Sequence, residues 1–310
     1  MPYTTIHQYH ISRLMLGTVQ LGLPYGIANT SGQPDYGLAK EILACAWAGG
    51  VTAFDTAALY GESEAVLGRA FAELGISDEV VVATKVRHLA EEFASVTEAS
   101  AAITASVEAS RRLLRMDCLP LVLFHREEDF RYIDVLLELR ARGWVRQVGA
   151  SVTTPPATKA ILASGKADAV QLPTHLLDPR FLDAGVFTAA RARGTALFVR
   201  SVYFQGLLLL PEERVPAHLA AVLPVRRALQ ALASDAGMAL DELAVRYVLG
   251  LEGMTALLLG VETVAQIRAN LALVARGPLE PSLMRAVRAA VPVLPEEMLM
   301  PNRWAERAEA

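Results

Sequence analysis

Three apolar runs in this chain of 310 residues each end on a side chain that can carry charge or a proton. The first closes at Phe54 and delivers Asp55, with a phenol five residues on, in Asp55-Thr56-Ala57-Ala58-Leu59-Tyr60-Gly61. Val80-Val81-Val82-Ala83-Thr84 delivers Lys85, and Leu119-Pro120-Leu121-Val122-Leu123-Phe124 delivers His125. Read as parallel strands of one sheet, the runs bring Asp55, Lys85 and His125 out at their C-terminal ends, where parallel α/β proteins place their active sites. A carboxylate, an ammonium, an imidazole and a phenol able to converge there are residue types suited to moving a proton and stabilising charge. Taken singly, each residue has a plainer reading. Asp after a strand is a common turn former, Lys at a strand end is usually solvated, and a lone His is more often structural than catalytic. Their recurrence in order at three successive strand ends is what raises them above that background.

The stretch Asp55-Thr56-Ala57 followed by Tyr60-Gly61 resembles the DTAxxYG motif of the aldo-keto reductases, and the resemblance extends over most of the chain. It implies that Tyr60 is the general acid, that Lys85 lowers its pKa, that Asp55 orients Lys85, and that a neutral His125 hydrogen-bonds the substrate oxygen. No side chain donates hydride, so a nicotinamide is required, NADP(H) or NAD(H), and no metal is expected.

Composition is that of a globular chain with a sizeable core. Hydrophobic residues make up 53% and charged residues 20%, and a net charge of −4 gives no reason to expect nucleic acid or an anionic membrane surface as partner. Cys45 and Cys118 are the two cysteines and sit in no CxxC or CxxH pattern, which argues for a reducing, cytoplasmic setting and against a zinc site. The N-terminus lacks a basic segment followed by an apolar one, and no apolar run approaches the roughly 18 residues of a membrane span. Leu207-Leu208-Leu209-Leu210 reads as packing.

Strand and helix patterns alternate from end to end. Ile11 to Gln20 reads as the first strand, centred on Leu14-Met15-Leu16-Gly17-Thr18, and Tyr36 to Gly49 as the first helix. The Asp55 strand precedes a helix from Glu62 to Leu74, stopped by Gly75, and the Lys85 strand precedes one from Thr97 to Arg115. After His125 come a helix from Asp129 to Arg142, the strand Val145 to Ser151, a helix opened by Pro155-Pro156, and the strand Ala169 to Pro173. Helix Arg180 to Ala192, strand Ala196 to Ser201, helices Val222 to Ala236 and Leu240 to Leu249, strand Thr255 to Gly260 and helix Ala265 to Val274 complete the series. Eight strand-then-helix units define an α/β protein of the (β/α)8 TIM-barrel class, with an extra C-terminal helical segment. An open doubly wound sheet is disfavoured because no G-x-G-x-x-G follows a strand. With no linker composition or tandem repeat, residues 1–310 read as one domain.

The resemblance also implies cofactor positions. Gly17 and Thr18, in the first strand, are among them, and Ser151 and Gln171 match residues that hold the nicotinamide carboxamide. The Asn usual beside the first of these is Val152 here. The run Arg200-Ser201-Val202-Tyr203-Phe204-Gln205-Gly206-Leu207 matches the segment that wraps the cofactor, contributing Arg200, Ser201 and Gly206, with Arg200 where an aromatic usually stacks on the nicotinamide. A guanidinium is also planar and can stack. Gly260, Glu262, Thr263, Gln266 and Asn270 match the loop and helix N-terminus that hold the adenosine end, a favourable place for phosphate. In the plainer reading, Gln171 and Ser201 satisfy buried backbone while Gln266 and Asn270 form a solvated helix face. Glu262 would repel a 2′-phosphate but accept hydrogen bonds from an unmodified ribose, so preference for the phosphorylated cofactor should be weak or reversed unless Arg268 curls back. His88, Arg126, Tyr203 and Pro301-Asn302-Arg303-Trp304 are candidate wall residues, and Arg126 beside His125 hints at a polar or anionic substrate.

Two function classes remain: an NAD(P)H-dependent oxidoreductase acting on a small-molecule carbonyl or sugar, and a nucleotide-sensing barrel subunit with little catalysis. Oligomeric state is open.

Overall fold

The structure, a computed structural model, describes residues 1–27, 29, 31–89, 95–301 and 304. Its first strands, β1 (Tyr3–Ile6) and β2 (Tyr9–Ser12), pair as an antiparallel hairpin. Eight more follow: β3 (Leu14–Gly17), β4 (Ala53–Asp55), β5 (Val81–Val86), β6 (Leu119–Phe124), β7 (Val145–Ser151), β8 (Ala169–Pro173), β9 (Ala196–Arg200) and β10 (Ala256–Gly260). These pair in parallel, in chain order, and β10 closes on β3 to complete a barrel. The (β/α)8 architecture expected from the alternation is therefore the one observed.

Strand alternation explains what the barrel holds. Met15, Ala53, Val81, Ala83, Leu121, Leu123, Ala169, Phe198, Ala256 and Leu258 pack together as an inner cluster. Their immediate neighbours, among them Leu16, Phe54, Val82, Val122, Val170, Val199 and Leu257, join a separate cluster with the surrounding helices. Because side chains alternate faces with period two, the next inward position after each inner residue lies two further on. Those positions are Gly17, Asp55, Lys85, His125, Gln171, Arg200 and Gly260, with Ser151 ending β7 in register with Gln171. A ring of polar residues and glycines thus crowns an apolar barrel.

Three expectations are corrected. Ile11 does not belong to the first barrel strand: it lies in β2, packed with Ile6 and Tyr9 against the inner cluster, so the hairpin plugs the N-terminal end of the barrel. Reciprocal bonds between Ser12 and Thr52, 2.9 and 3.0 Å, anchor that hairpin and end its strand before β3. At the other end Thr18 has left the strand to precede the turn Val19–Gly22. The helix expected from Arg180 to Ala192 is two pieces, Arg180–Asp183 and Val186–Arg193, separated by Gly185 in the left-handed region at φ 71°. The helix expected from Asp129 opens as a 3-10 segment, Glu127–Tyr132, and becomes α-helical over Ile133–Ala141. The C-terminal helical segment is present as Pro281–Ala290 and Glu296–Leu299. Among the described residues no helix is long and apolar enough to cross a membrane.

One close approach sets the loop that carries Tyr60. A Cβ on Gly22 would lie 1.8 Å from the Tyr60 carbonyl oxygen and 2.6 Å from the Ser63 amide, and one on Gly61, at φ 52°, would lie 2.2 Å from the Gly22 carbonyl. Only glycine fits both sides of this contact. Gly22→Ala should lower stability by about 1–3 kcal/mol, the scale of overpacking, as read by urea unfolding. Gly143→Ala, where a Cβ meets nothing within 4 Å but φ is 76°, serves as the control for backbone strain without a clash.

Candidate active site

Lys85 is 1% exposed, and its ammonium lies where only a precise set of acceptors makes burial tolerable. Nζ donates to Asp55 Oδ1 at 2.8 Å and Oδ2 at 2.9 Å, to the Thr56 carbonyl at 2.9 Å, and more weakly to Tyr60 Oη at 3.3 Å. Asp55 is gripped from the other side by Gln171, whose Nε2 donates to Oδ1 at 2.7 Å. Lysine has donors only, so the phenol oxygen is the acceptor and its own proton is free to point elsewhere. Register makes the meeting possible: Asp55 pairs with Ala83, and Lys85 stands two residues further along β5 on the same face.

Buried hydroxyls hold the end of β4. Thr18 Oγ1 donates to the Asp55 carbonyl at 2.8 Å and contacts Ser63 Oγ at 2.8 Å, while Thr56 Oγ1 reaches Ser63 Oγ at 2.9 Å. Ser63 N then donates to the Tyr60 carbonyl at 2.9 Å, which ties the Tyr60 loop to the helix Ser63–Leu74.

Charge is finely balanced around the phenol. Burial pushes the Tyr60 hydroxyl upward; Lys85 pulls it down, as expected, but by less, so the phenol is raised overall. Lys85 itself is raised: burial opposes its charge, but Asp55 and Tyr60 favour it more. His125 is pushed down to about 2 by burial, with the charges of Lys85, Arg200 and Arg126 and the neighbouring His88 adding to it. Its ring lies edge-on to Tyr60 at 5.7 Å and to His88 at 4.8 Å, and its Nδ1 is buried without a protein partner.

A cavity of about 740 Å³ opens over this cluster at the C-terminal mouth of the barrel. Of the residues singled out from sequence, Gly17, Thr18, Asp55, Tyr60, His125, Ser151, Gln171, Arg200, Ser201, Gly206, Gly260, Glu262, Gln266 and Asn270 line it. Lys85 and Thr263 do not: Lys85 sits behind Asp55 and Tyr60, and Thr263 caps the helix Val264–Ala275. His88, Arg126, Tyr203 and Pro301 are on the wall as expected. Trp304 is not on it; its ring packs on Phe204 at 4.9 Å and its Nε1 donates to the Met298 carbonyl at 3.0 Å. Asn302 and Arg303 lie outside the described residues.

Several side chains expected to face a ligand already have protein partners. Gln266 is not a free ligand arm: it closes a capping box with Thr263, accepts from Glu262 N at 2.6 Å, and donates to Glu262 Oε2 at 3.0 Å. Asn270 Oδ1 accepts from Tyr203 Oη at 3.3 Å and is buried, rather than forming part of a solvated face. Arg200 donates to the Val152 carbonyl at 3.0 Å and contacts Ser201 Oγ at 3.4 Å. The loop beyond it is strained, with Ser201, Phe204 and Gln205 at φ 65°, 51° and 53°. Phe204 is held there by stacking on His175 at 4.1 Å.

Gln20, Tyr25, Thr153, Leu209 and Asp241 also line the cavity, and sequence reading missed them. Leu209 interrupts the apolar run as its one exposed member, at 45%. Gln20 lies in the turn Val19–Gly22 after β3, and its amide lies so close to Gly260 that a Cβ there would sit 2.4 Å from Oε1. The cleft thus runs from proton-bearing groups at Tyr60 and His125 to a helix N-terminus at Glu262–Gln266. Its length, its glycines at Gly17 and Gly260 and the orphaned buried Gln20 Oε1 fit an elongated nucleotide lying along the barrel mouth. Among the described residues no group of three His, Cys, Asp or Glu is arranged to hold a metal ion.

A closed parallel barrel with a buried Asp–Lys pair beneath a phenol at its C-terminal mouth defines a class, and comparison with known proteins agrees. The Aldo/keto reductase family matches residues 13–292, and the chain belongs to that family of oxidoreductases. Aldo-keto reductase YhdN of Bacillus subtilis (strain 168) is 28% identical over 217 residues, 67% of this chain and 64% of that protein. The match therefore spans less than two thirds of that relative's length. Among solved structures, aldo-keto reductase AKR11C1 from Bacillus halodurans, in its holo form, superposes with a TM-score of 0.76 at 22% identity, covering 97% of this chain and 100% of that one. PA4992 of Pseudomonas aeruginosa, titled a putative aldo-keto reductase, gives 0.63 at 22% identity over 88% of this chain and 94% of its own. At that identity both report on the fold.

The depressed His125 makes a pH prediction. With a folded value near 2 against an ordinary 6.5, the unfolded chain binds a proton that the native state refuses. The contribution is fully present above about pH 6.5 and is lost as pH falls toward 2. Urea unfolding between pH 7 and 4 should show an acid limb that His125→Phe flattens by up to about 1.4 kcal/mol per pH unit.

Proposed function

We propose that the protein interconverts a small aldehyde, ketone or sugar carbonyl and its alcohol, with NADH or NADPH as hydride donor. What carries the reading is one contact: the Tyr60 hydroxyl at the cavity, 3.3 Å from a buried Lys85 that is ion-paired to Asp55. When bound, the nicotinamide supplies hydride to the carbonyl carbon, and the C=O electron pair moves onto oxygen. Tyr60 donates its proton to that oxygen and becomes phenolate, which Lys85 then stabilises across the same contact. Asp55 and Gln171 keep Lys85 aimed. His125, neutral throughout the working pH range, hydrogen-bonds the carbonyl oxygen and fixes its angle to the donor. A raised phenol suits an acid that must stay protonated until the oxyanion forms.

Ser151, Gly17 and Gly260 are proposed to carry the nicotinamide half along the mouth, and Glu262 with the helix N-terminus the adenosine half. Gln171, which grips Asp55 and lines the cavity, is proposed to contact the nicotinamide as well.

Tyr60→Phe removes one proton donor and little volume, so kcat should fall by about 10²- to 10⁴-fold with cofactor affinity nearly unchanged. Lys85→Met should abolish most activity and displace the pH–rate profile of what remains. Oxidation of NADH and NADPH over a panel of aldehydes and sugars, followed by absorbance, reads both; a Tyr60→Phe enzyme turning over at the wild-type rate would remove the phenol from its role.

Cofactor choice depends on Glu262, whose carboxylate accepts from Gln266 at the start of the helix. Preference for the 2′-phosphorylated form is expected to be weak or reversed, and Glu262→Arg should shift it toward that form by about 1–3 kcal/mol. Dissociation constants for NADH and NADPH, from fluorescence quenching, check the direction.

A further inference from the structure

Arg200 is a cation without an anion. Its guanidinium donates to the Val152 carbonyl at 3.0 Å and contacts Ser201 Oγ at 3.4 Å, both neutral partners, and no carboxylate pairs with it among the described residues. The two other arginines that line the cavity are treated differently by the fold: Arg180 is paired with Asp178 at 2.8 Å, and Arg126 with Asp129 at 3.2 Å. The position is also special. Arg200 is the last residue of β9 and pairs with Pro173, the last residue of β8. From there it reaches past β8 to the segment after β7, so it lies across the cavity mouth beside Gln171 and Ser151. Its charge reaches His125 and is felt by Tyr60 and Asp55, which places it at the proton-transfer end of the cleft rather than the phosphate end.

The surrounding charges leave that cation largely uncompensated. Asp55 is neutralised by Lys85. Glu127, the other carboxylate that acts on Arg200, is engaged with the Thr153 and Thr154 amides and the Thr154 hydroxyl.

We propose that Arg200 makes this site discriminate between the oxidation states of its nicotinamide, holding the reduced form in preference to the oxidised form. The inference rests on the nicotinamide reading above. A hydride donor must approach the carbonyl carbon whose oxygen meets Tyr60 and His125, so its ring lies within the reach of Arg200. Only the oxidised ring carries a positive charge, which Arg200 repels, whereas the reduced ring is neutral and electron-rich, a surface on which a guanidinium stacks favourably. Both effects have the same sign, and burial leaves them weakly screened by salt. By linkage, tighter binding of the reduced form shifts the equilibrium on the protein by the same factor toward reduced cofactor. Hydride transfer from an alcohol carbon to oxidised cofactor, with the hydroxyl proton passing to the Tyr60 phenolate, is thereby favoured over its reverse.

Dissociation constants for NAD⁺, NADH, NADP⁺ and NADPH, by titration calorimetry at pH 7, test this without turnover. Wild type should bind the reduced form of its preferred dinucleotide more tightly than the oxidised form. Arg200→Gln should lower the ratio of the two constants by about tenfold or more, and Arg200→Lys should retain it. Arg200→Met stands in as the neutral variant if the glutamine protein does not fold. Equal or tighter binding of the oxidised form by wild type, or a ratio unchanged in the neutral variants even if overall affinity drops, overturns the inference while leaving the nicotinamide reading intact. Failure of wild type to bind any of the four overturns both.

Discussion

The ammonium of Lys85 has no water to lie in, and much of the barrel mouth is organised around that fact. Burying an unpaired ammonium costs several kcal/mol even after relaxation, so the charge persists only where acceptors surround it. Asp55 supplies two, the Thr56 carbonyl a third, and Tyr60 shares what remains. All three ammonium protons are therefore committed, and the longest contact is the one to the phenol. That weaker contact is the one with room to strengthen if negative charge appears on Tyr60 Oη, which is how differential stabilisation of a developing phenolate would arise from an otherwise static pair.

Holding such a pair requires rigid flanks. Asp55 ends a strand of only three residues, and its carbonyl is fixed by both the amide and the hydroxyl of Thr18. Gln171 restrains its carboxylate from the far side of the barrel, 116 residues away in sequence. The Tyr60 loop is clamped where Gly22 and Gly61 touch backbone to backbone. Beyond β9 the chain accepts left-handed conformations at three residues other than glycine, which persist because Phe204 is wedged between His175 and Trp304. The barrel thus supports a rigid proton-transfer centre on one side and a strained loop over the cavity on the other.

The electrostatic layout follows from the same ring of inward positions. Seven of its members can be counted outward from the inner apolar cluster, one step of two residues along each strand. Gly17 and Gly260 put no side chain on one side of the ring, where the Gln20 amide closes against Gly260, and charged or amide groups fill the other. Within it Asp55 and Lys85 cancel, His125 is held neutral, and Arg200 is left as the net charge facing the cavity.

Local sequence determined a great deal here. Apolar runs ending in Asp55, Lys85 and His125 specified three parallel strands and the level at which their polar ends emerge, because strand length and alternation are local properties. Eight such units in order specified the barrel, since right-handed crossovers leave few other arrangements. The residues lining the site were legible wherever they stand one alternation step beyond an apolar strand. Tertiary structure alone decided the rest. That Tyr3–Ser12 folds back as a plug, that Gln171 reaches Asp55, that Gln266 turns onto its own helix start and that Trp304 lies behind Phe204 all depend on neighbours distant in sequence or on which bond a side chain finds first. Whether burial or a nearby ammonium governs the Tyr60 phenol was likewise undecidable from residue types, because desolvation is set by what packs around a group and not by its own chemistry.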